Sequence, residues 1–226
     1  YTPKPTLKLD KVAAAAEIIN NAKKPMIIFG QGIILSEAEA ELKALIEKSG
    51  IPAAWTILGL SALPTDHPLN VGMVGMHGNY GPNVLTNECD VLIALGMRFD
   101  DRVTGNLATY AKQAKVIHVE IDPAEIDKNV KTTVAVLADL KEALTALIPL
   151  VEKNNHDSWH NEFKEKYKIE LEKVIDEELK PNHEGISMGE TIEMINKHSK
   201  GDAIMVSDVG QHQMFTCRYS KFNTTK

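Results

Sequence analysis

The residues best suited to chemistry lie where a hydrophobic run, residues 91–95, ends at Gly96 and is followed at once by charge. Arg98 and Arg102 carry planar guanidinium groups, which bind phosphate oxygens through paired hydrogen bonds, and Asp100 could accept a hydrogen bond from a sugar hydroxyl. The alternative is a surface ion-pair network, which would contribute little energy. The glycine at a strand end favours a ligand, and the residue types favour one that resembles a nucleotide.

Two glycine-rich segments could let such a ligand approach the backbone. Gly30-Gln31-Gly32 follows a short apolar run, and its missing side chains would admit a phosphate or a ring. The GxGxxG pattern is incomplete because Leu35 stands in the third glycine position, so a tight strand-to-helix turn explains these glycines at least as well. Residues 72–83 contain four glycines in a long loop, and such loops are usually functional. His77 in this loop is either a ligand contact or a hydrogen-bonded loop residue.

Carboxylates follow two further predicted strands. Glu120 and Asp122 come after one strand, and Asp139 comes after the next. Each could accept hydrogen bonds from hydroxyl groups or from an adenine amino group. Asp122 and Asp139 are also placed to cap the helices that follow them, and capping is the favoured role for Asp122 because Pro123 suits the first position of a helix. Capping and ligand contact do not exclude each other.

These candidate residues require strands that end at one edge of a sheet. Apolar runs predict five strands, at residues 26–29, 51–56, 91–95, 116–121 and 133–137. The patterns between them predict helices at 12–20, from a capping box of Ser36 and Glu39 to about Gly50, at 123–128, and from Asp139 to about Val151, with 59–83 as a long glycine-rich loop. The alternation predicts an α/β fold with a mostly parallel, doubly wound sheet, in which ligands bind outside the carboxyl ends of the strands.

The second half of the sequence changes character. Residues 153–181 are strongly charged and predict one amphipathic helix that bridges two domains, with apolar positions at Trp159, Phe163, Tyr167, Leu171 and Val174. A capped helix from Ser187 to about His198 and a strand at 203–208 follow. One helix and one strand cannot close a core, so we expect a piece of a longer protein, cut inside a second α/β domain and poorly ordered after about Ser207. The predicted domains are residues 1–152, a connecting segment at 153–186, and the start of the second domain at 187–226.

The composition excludes several classes of function. The net charge of −6 gives no electrostatic reason to expect binding to nucleic acid or to an anionic membrane. No apolar run in the sequence approaches the roughly 20 residues that cross a bilayer. Cys89 and Cys217 lie far apart, which fits buried thiols in a cytoplasmic protein rather than a disulfide framework or a zinc site. The sequence also shows no Ser/His/Asp arrangement and no HExxH pair.

Four motifs taken together resemble a known family. Residues 96–105 read Gly-Met-Arg-Phe-Asp-Asp-Arg-Val-Thr-Gly, and they are accompanied by Gly-Met-His-Gly at 75–78, Asp-Pro-Ala-Glu-Ile at 122–126 and Asp-Val-Gly-Gln-His-Gln-Met at 208–214. In order and spacing they resemble the large subunit of acetolactate synthase, also called acetohydroxyacid synthase, over nearly the whole chain. The resemblance implies the central, FAD-binding domain of a three-domain thiamine diphosphate enzyme. The connecting helix and the start of the diphosphate-binding domain would follow it.

The resemblance also implies site residues. FAD is expected to lie across Gly30, Gln31, Gly32, Thr56, Ile57, Leu58, Gly75, Met76, His77, Gly96, Met97, Arg98, Asp100, Arg102, Glu120, Ile121, Asp139 and Leu140. Thiamine diphosphate is expected to contact Val209, Gly210, Gln211 and His212. The glutamate that activates thiamine diphosphate and the Mg²⁺ site are expected outside this chain, so the chain alone is expected to be inactive.

The implied reaction belongs to valine and isoleucine biosynthesis. Pyruvate is decarboxylated and joined to a second pyruvate or to 2-oxobutyrate, while FAD has a structural role. The implied partners are these 2-oxo acids, further copies of the chain in a dimer or tetramer, and a small regulatory subunit.

Two other interpretations stay open. Another thiamine diphosphate enzyme with a related middle domain, such as pyruvate oxidase or glyoxylate carboligase, would share most of these features, but the motif at 96–105 argues against it. A stand-alone module that binds a nucleotide or NAD would share the sheet, but it would not end in half of a second core.

Overall fold

The computed structural model of the chain describes residues 4–180 and 184–225, and its centre is one parallel sheet. The strands are β1 (Pro25–Phe29), β2 (Ala53–Trp55), β3 (Asn70–Met73), β4 (Val91–Leu95), β5 (Lys115–Glu120) and β6 (Val134–Leu137). Their order is β3-β2-β1-β4-β5-β6, and every neighbouring pair is parallel. The predicted α/β, doubly wound fold is therefore confirmed. The order reverses between β1 and β4, and in sheets of this kind ligands bind in the crevice outside the carboxyl ends of the strands at such a switch point.

Helices cover both faces of the sheet. Those of the first 150 residues are α1 (Leu9–Asn20), α2 (Gly32–Leu35), α3 (Glu39–Ser49), α4 (Tyr80–Leu85), α5 (Asp101–Thr104) and α6 (Leu140–Leu147). Short 3₁₀ turns occur at Ile57–Gly59, Pro123–Glu125 and Ile148–Leu150. The later elements are α7 (Asp157–Glu170), a π-helical turn (Leu171–Ile175), α8 (Asp176–Leu179), α9 (Met188–Ser199) and α10 (Gln211–Tyr219).

The two central strands are apolar throughout because both of their faces are covered. In β1, Ile27 and Phe29 point into one buried cluster, whereas Met26 and Ile28 point into the cluster on the opposite face. Side chains alternate along a strand, so a strand buried on both faces has no polar position. This explains why these runs were recognisable in the sequence.

One strand was missed. Residues 59–83 were predicted as a loop, but residues 70–73 of that stretch form β3 at the edge of the sheet. The strand contains only two apolar residues, Val71 and Met73, on either side of Gly72. Gly72 adopts a positive φ of 106°, and a Cβ there would lie 2.4 Å from the side-chain oxygen of Asn79, so both the backbone conformation and this contact select glycine.

The predicted capping box of Ser36 and Glu39 was wrong. Residues from Gly32 onward already turn as α2, and the peptide N–H of Ser36 donates to Gly32 O (3.0 Å) at the end of that turn. The longer helix, α3, begins only at Glu39, after Ala38 and without a side-chain cap. The predicted capped helix from Ser187 is confirmed as α9, where the side chains of Ser187 and Glu190 form a capping box.

The predicted strand at 203–208 was also wrong. These residues adopt no regular secondary structure, and Ile204 and Val206 are 73% and 92% exposed. A strand needs a paired neighbour, and the six strands above are all those in the part of the chain that the structure describes. The predicted poor order after Ser207 was wrong as well, because α10 packs on the same chain: the carbonyl of Tyr219 accepts a hydrogen bond from Asn196 Nδ2 (2.7 Å).

The helix predicted at residues 153–181 is confirmed in outline, and its first turns are buried. It begins at Asp157 instead of residue 153, because His156 adopts a left-handed conformation (φ 47°) directly before it. Trp159 and Phe163 are buried, whereas Tyr167 is 52% exposed. The helix ends at Leu179, and its predicted end at Pro181 lies outside the described residues.

The two cysteines are free and buried, as predicted. Burial, with a smaller contribution from the charge of Asp90, raises the pKa of the Cys89 thiol to about 12, and burial also raises the pKa of Cys217. Among the described residues, no helix is long and apolar enough to span a membrane.

Candidate functional site

The exits of neighbouring strands are joined at one edge of the sheet, where the candidate FAD residues lie. Each exit donates a peptide N–H group to the carbonyl of the adjacent strand: Thr56 to Phe29 (2.9 Å), Val74 to Trp55 (2.9 Å), Gly96 to Val119 (2.9 Å) and Ala138 to Glu120 (3.0 Å). The structure thus brings together sequence segments that lie more than 80 residues apart. The candidate residues at these exits form one continuous edge.

The glycines at the switch point let two loops pack directly on each other. The peptide N–H groups of Gly30 and Gly32 donate to Leu95 O and Gly96 O (both 3.0 Å). A Cβ at Gly32 would lie 2.6 Å from Gly96 Cα, and one at Gly96 would lie 2.3 Å from Leu140 Cδ1. These contacts support the interpretation of a tight turn. The missing side chains at these positions are thus accounted for by the close packing of the two loops.

The charged segment after β4 presents its cations to solvent. Arg98 and Arg102 are exposed, and the side chain of Arg98 meets Asp100 at 3.4 Å (Nη2 to Oδ2). Asp100 also caps α5, because its Oδ1 accepts a hydrogen bond from the peptide N–H of Arg102 (3.2 Å). An exposed pair at this distance contributes little stability, so the guanidinium groups are available for an anion.

The loop after β3 is held rigidly while two of its side chains project outward. The side chain of Asn83 binds both backbone groups of Gly75, with Oδ1 accepting from Gly75 N (2.8 Å) and Nδ2 donating to Gly75 O (2.9 Å). The peptide N–H of Met76 donates to Arg102 O (2.8 Å), which joins this loop to the charged segment. Met76 and His77 are exposed. A cavity of about 300 Å³ lies beside this junction and is lined in part by Gly75, Met76 and Arg102.

The carboxylates at the ends of β5 and β6 accept hydrogen bonds from nearby peptide N–H groups. Glu120 Oε1 accepts hydrogen bonds from the peptide N–H groups of Ile121 (2.8 Å) and Asp122 (3.2 Å). The predicted capping roles are confirmed, since Asp122 accepts from Ala124 N (2.9 Å) and Asp139 from Lys141 N (3.0 Å).

Asp139 has a second partner that the sequence did not suggest. Lys4 Nζ lies 2.8 Å from its other oxygen. Burial of Asp139 opposes ionisation, but the ammonium group of Lys4 and nearby peptide N–H groups outweigh it, so the pKa of this carboxyl is lowered. Asp139 is therefore a charged group at neutral pH.

The remaining candidates divide into buried and exposed side chains. Met97, Leu140 and Thr56 are buried, so only their backbone atoms or edges could meet a ligand. Ile57 (40%), Leu58 (58%) and Ile121 (44%) are exposed apolar residues at the exits of β2 and β5. Exposed apolar side chains at the same end of the sheet as exposed arginines are suited to a ligand that is part aromatic and part anionic.

The four candidate contacts for thiamine diphosphate lie apart from this edge in the chain. Val209 is 82% exposed, and Gly210 directly precedes α10. Gln211 and His212 are exposed in the first turn of that helix, where peptide N–H groups lack helical acceptors. The N-terminus of a helix favours an anion.

The part of the chain that forms the sheet matches a known family. A model described as "Thiamine pyrophosphate enzyme, central domain" matches residues 12–147, which is more than half of the chain. The chain belongs to this family. The match begins in α1 and ends with α6, so it covers all six strands and the candidate FAD residues that follow them.

Curated relatives extend the similarity over the rest of the chain. A protein named "Probable acetolactate synthase large subunit" from Methanocaldococcus jannaschii is 39% identical over 98% of this chain. The acetolactate synthase large subunit of Lactococcus lactis subsp. lactis is 42% identical over 91%, and acetolactate synthase 1, chloroplastic, of Oryza sativa subsp. japonica is 37% identical over 89%. The chain spans 38%, 35% and 31% of the lengths of these three relatives.

A buried imidazole beneath the site is expected to make stability depend on pH. His118 lies on β5, its Nε2 donates to Met97 O (2.9 Å), and Glu120 Oε2 approaches it at 4.0 Å. Burial lowers its pKa, and these two contacts offset the effect only in part. The unfolded chain therefore binds more protons on acidification. The stabilising contribution of the neutral imidazole is present above the ordinary pKa of about 6.5 and is lost as the pH falls toward the lower, folded-state pKa.

We expect the free energy of unfolding to fall between pH 7 and pH 5, and to fall less steeply in His118→Gln, whose amide can still donate to Met97 O. Urea unfolding at several pH values measures this. Burial also lowers the pKa of His156 and His160, so the variant should retain part of the slope. Equal slopes in the two proteins would show that His118 does not contribute.

Proposed function

We propose that this chain is part of the large subunit of an acetolactate synthase. In this proposal residues 1–152 are the FAD-binding central domain, 153–186 connect it to the next domain, and 187–226 begin the diphosphate-binding domain. The observation that best supports this activity is a sequence identity of 37–42% to proteins of that name over 89–98% of the chain. The alternatives, pyruvate oxidase, glyoxylate carboligase or a stand-alone nucleotide-binding module, have no comparable support.

The residues at the carboxyl ends of the strands have the chemistry that FAD would need, which supports FAD as the ligand of this site. The exposed guanidinium groups of Arg98 and Arg102 are suited to the doubly anionic diphosphate of FAD. Each planar guanidinium group can donate two parallel hydrogen bonds to phosphate oxygens. The exposed apolar side chains of Ile57, Leu58 and Met76 are suited to a flat ring system. Glu120 and Asp139 offer carboxylate oxygens for hydroxyl or amino groups. FAD would have a structural role here.

Thiamine diphosphate would supply the chemistry when bound, by stabilising the carbanion formed when a 2-oxo acid loses carbon dioxide. In this chain, Val209, Gly210, Gln211 and His212 would hold its phosphate groups through backbone and neutral polar groups at the start of α10. The Mg²⁺ ligands and the activating glutamate would come from other parts of the protein.

The substrates would be pyruvate and either a second pyruvate or 2-oxobutyrate. The name "large subunit" borne by relatives favours assembly with a small regulatory subunit and with further copies of the chain. The cytoplasm is the proposed location, because two free thiols fit a reducing compartment.

The test is a titration of the protein with FAD, followed by quenching of flavin fluorescence. Arg98→Ala is expected to raise the Kd for FAD about tenfold or more, since a hydrogen bond to a charged group contributes about 1.5–3 kcal/mol. Arg98→Lys should give an intermediate Kd, because it keeps the charge but loses the fork.

Lys168→Ala is the matched control, since it removes an exposed cation from α7, outside the crevice, and should leave the Kd unchanged. Equal Kd values for the wild type and Arg98→Ala would show that Arg98 does not bind FAD and only forms a surface ion pair with Asp100. Absence of saturable quenching, both in this chain and in a longer protein that contains it, would overturn the FAD proposal.

A further inference from the structure

A buried carboxylate on the connecting helix contacts the loop that carries part of the candidate FAD site. Glu170, the last residue of α7, is only 3% exposed, although residues 164, 165, 167, 168 and 169 before it are all exposed. Its Oε2 accepts a hydrogen bond from the peptide N–H of Tyr80 (3.0 Å), and its Oε1 accepts one from Asn79 Nδ2 (3.1 Å). Burial of a charge is costly unless it is paired and hydrogen-bonded, so this carboxylate is held in place by these partners.

Asn79 links Glu170 to the loop that follows β3. Its Oδ1 accepts a hydrogen bond from Met73 N (2.8 Å), and its own peptide N–H donates to Met73 O (2.7 Å). These two bonds close residues 73–79 into a ring, which we call the β3 loop, and Met76 and His77 lie at its outer side. The side chain of Asn79 also packs against Gly72, where it leaves no room for a Cβ. The orientation of Asn79 therefore sets the position of the β3 loop.

On its other side, Glu170 contacts the C-terminal helix. The guanidinium group of Arg218 on α10 forms an ion pair with Glu170 Oε1. Arg218 belongs to the helix whose first turn contains Gln211 and His212, two of the candidate contacts for thiamine diphosphate. One carboxylate thus joins the β3 loop, the connecting helix and the helix that follows the second candidate cofactor segment.

We propose that Glu170 is a positioning residue that fixes the β3 loop and ties it to α10. The proposal rests on the proposed function, because Met76 and His77 are candidate FAD contacts and Val209–His212 are candidate thiamine diphosphate contacts. Loss of the charge frees Asn79 and the N-terminal end of α4, so the β3 loop moves more and a ligand that needs Met76 and His77 binds less tightly. Glu170 itself does not touch that ligand.

The test uses Glu170→Gln, which keeps the shape of the side chain but removes its charge and one acceptor. Amide hydrogen exchange is expected to accelerate about tenfold or more at Met76, Asn79 and Tyr80, because local opening then costs less. Exchange at Ile28 and Ile93 in the central strands should not change. Glu165→Gln on the exposed side of the same helix is the matched control and should change neither group.

Two further measurements separate positioning from general stability. The Kd for FAD is expected to rise about tenfold in Glu170→Gln, because binding must then order a loop that has lost about one hydrogen bond to a charged group. The protection of the central strands against hydrogen exchange should not change. Arg218→Met should also accelerate exchange at Asn79 and Tyr80, because it releases the carboxylate from the C-terminal side.

Several outcomes would overturn the proposal. Unchanged exchange in the β3 loop of Glu170→Gln, or equal acceleration at Ile28 and Ile93, would show that Glu170 does not position the loop. Unchanged exchange in Arg218→Met would remove the connection to α10. The exchange measurement needs no ligand, so its result stands apart from that of the FAD titration, and a failure of one proposal is distinguishable from a failure of the other.

Discussion

Replacement of Gly30 by alanine is expected to lower the free energy of unfolding by about 3 kcal/mol, at the upper end of the usual cost of overpacking. The new Cβ would lie 2.5 Å from Gly96 O and 2.7 Å from Met97 Cβ. Neither neighbour can yield cheaply, because Gly96 O is a backbone atom that also accepts the hydrogen bond from Gly32 N. Gly30 does not need a positive φ, so the cost is steric. The β1 and β4 exits would have to separate at the switch point.

The matched control is Gly81→Ala. Gly81 lies inside α4, where the nearest atom to a new Cβ is Lys166 Cβ at 3.4 Å, an ordinary contact. Alanine is favoured over glycine in a helix by up to about 1 kcal/mol, so this variant should be as stable as the wild type or more stable. Urea unfolding of both variants measures the difference. If Gly30→Ala were as stable as Gly81→Ala, the close packing of the two loops would not be a constraint on the fold.

The sequence predicted well those features that depend on local pattern. The strands β1 and β4 were recognisable because burial of both faces requires an unbroken apolar run. Asp122 and Asp139 were recognisable as caps because a cap bonds within three residues of itself.

The features that were missed depend on partners far away in the sequence. The ion pair of Lys4 with Asp139 joins residues 135 positions apart, and the hydrogen bond of Glu170 to Tyr80 N spans 90 positions. No local signal marks such a partner. At residues 203–208 the sequence instead predicted a strand that does not form. The composition is that of a strand, but a strand forms only when another pairs with it.

The largest expected loss in the free energy of unfolding comes from removing the contact that holds the connecting helix against the sheet. Trp159 is 2% exposed, its Nε1 donates to Pro25 O (2.8 Å) at the start of β1, and its ring meets Phe163 edge-on at 5.0 Å. Trp159→Ala is expected to lower the free energy of unfolding by about 4 kcal/mol, because it leaves a cavity. It also leaves the carbonyl of Pro25 without this donor. Trp159→Phe should cost less, since it keeps most of the buried apolar area.

Tyr167→Ala on the same helix is the control that makes this result specific. Tyr167 belongs to the same apolar stripe in the sequence but is 52% exposed, so its loss should change the free energy of unfolding by no more than about 0.5 kcal/mol. Urea unfolding followed by circular dichroism measures all three variants. Equal losses for Trp159→Ala and Tyr167→Ala would mean that the helix is not anchored through its first two turns. The proposed path from Glu170 to the β3 loop would then lack its support, because Glu170 reaches Asn79 only while α7 is held against the sheet.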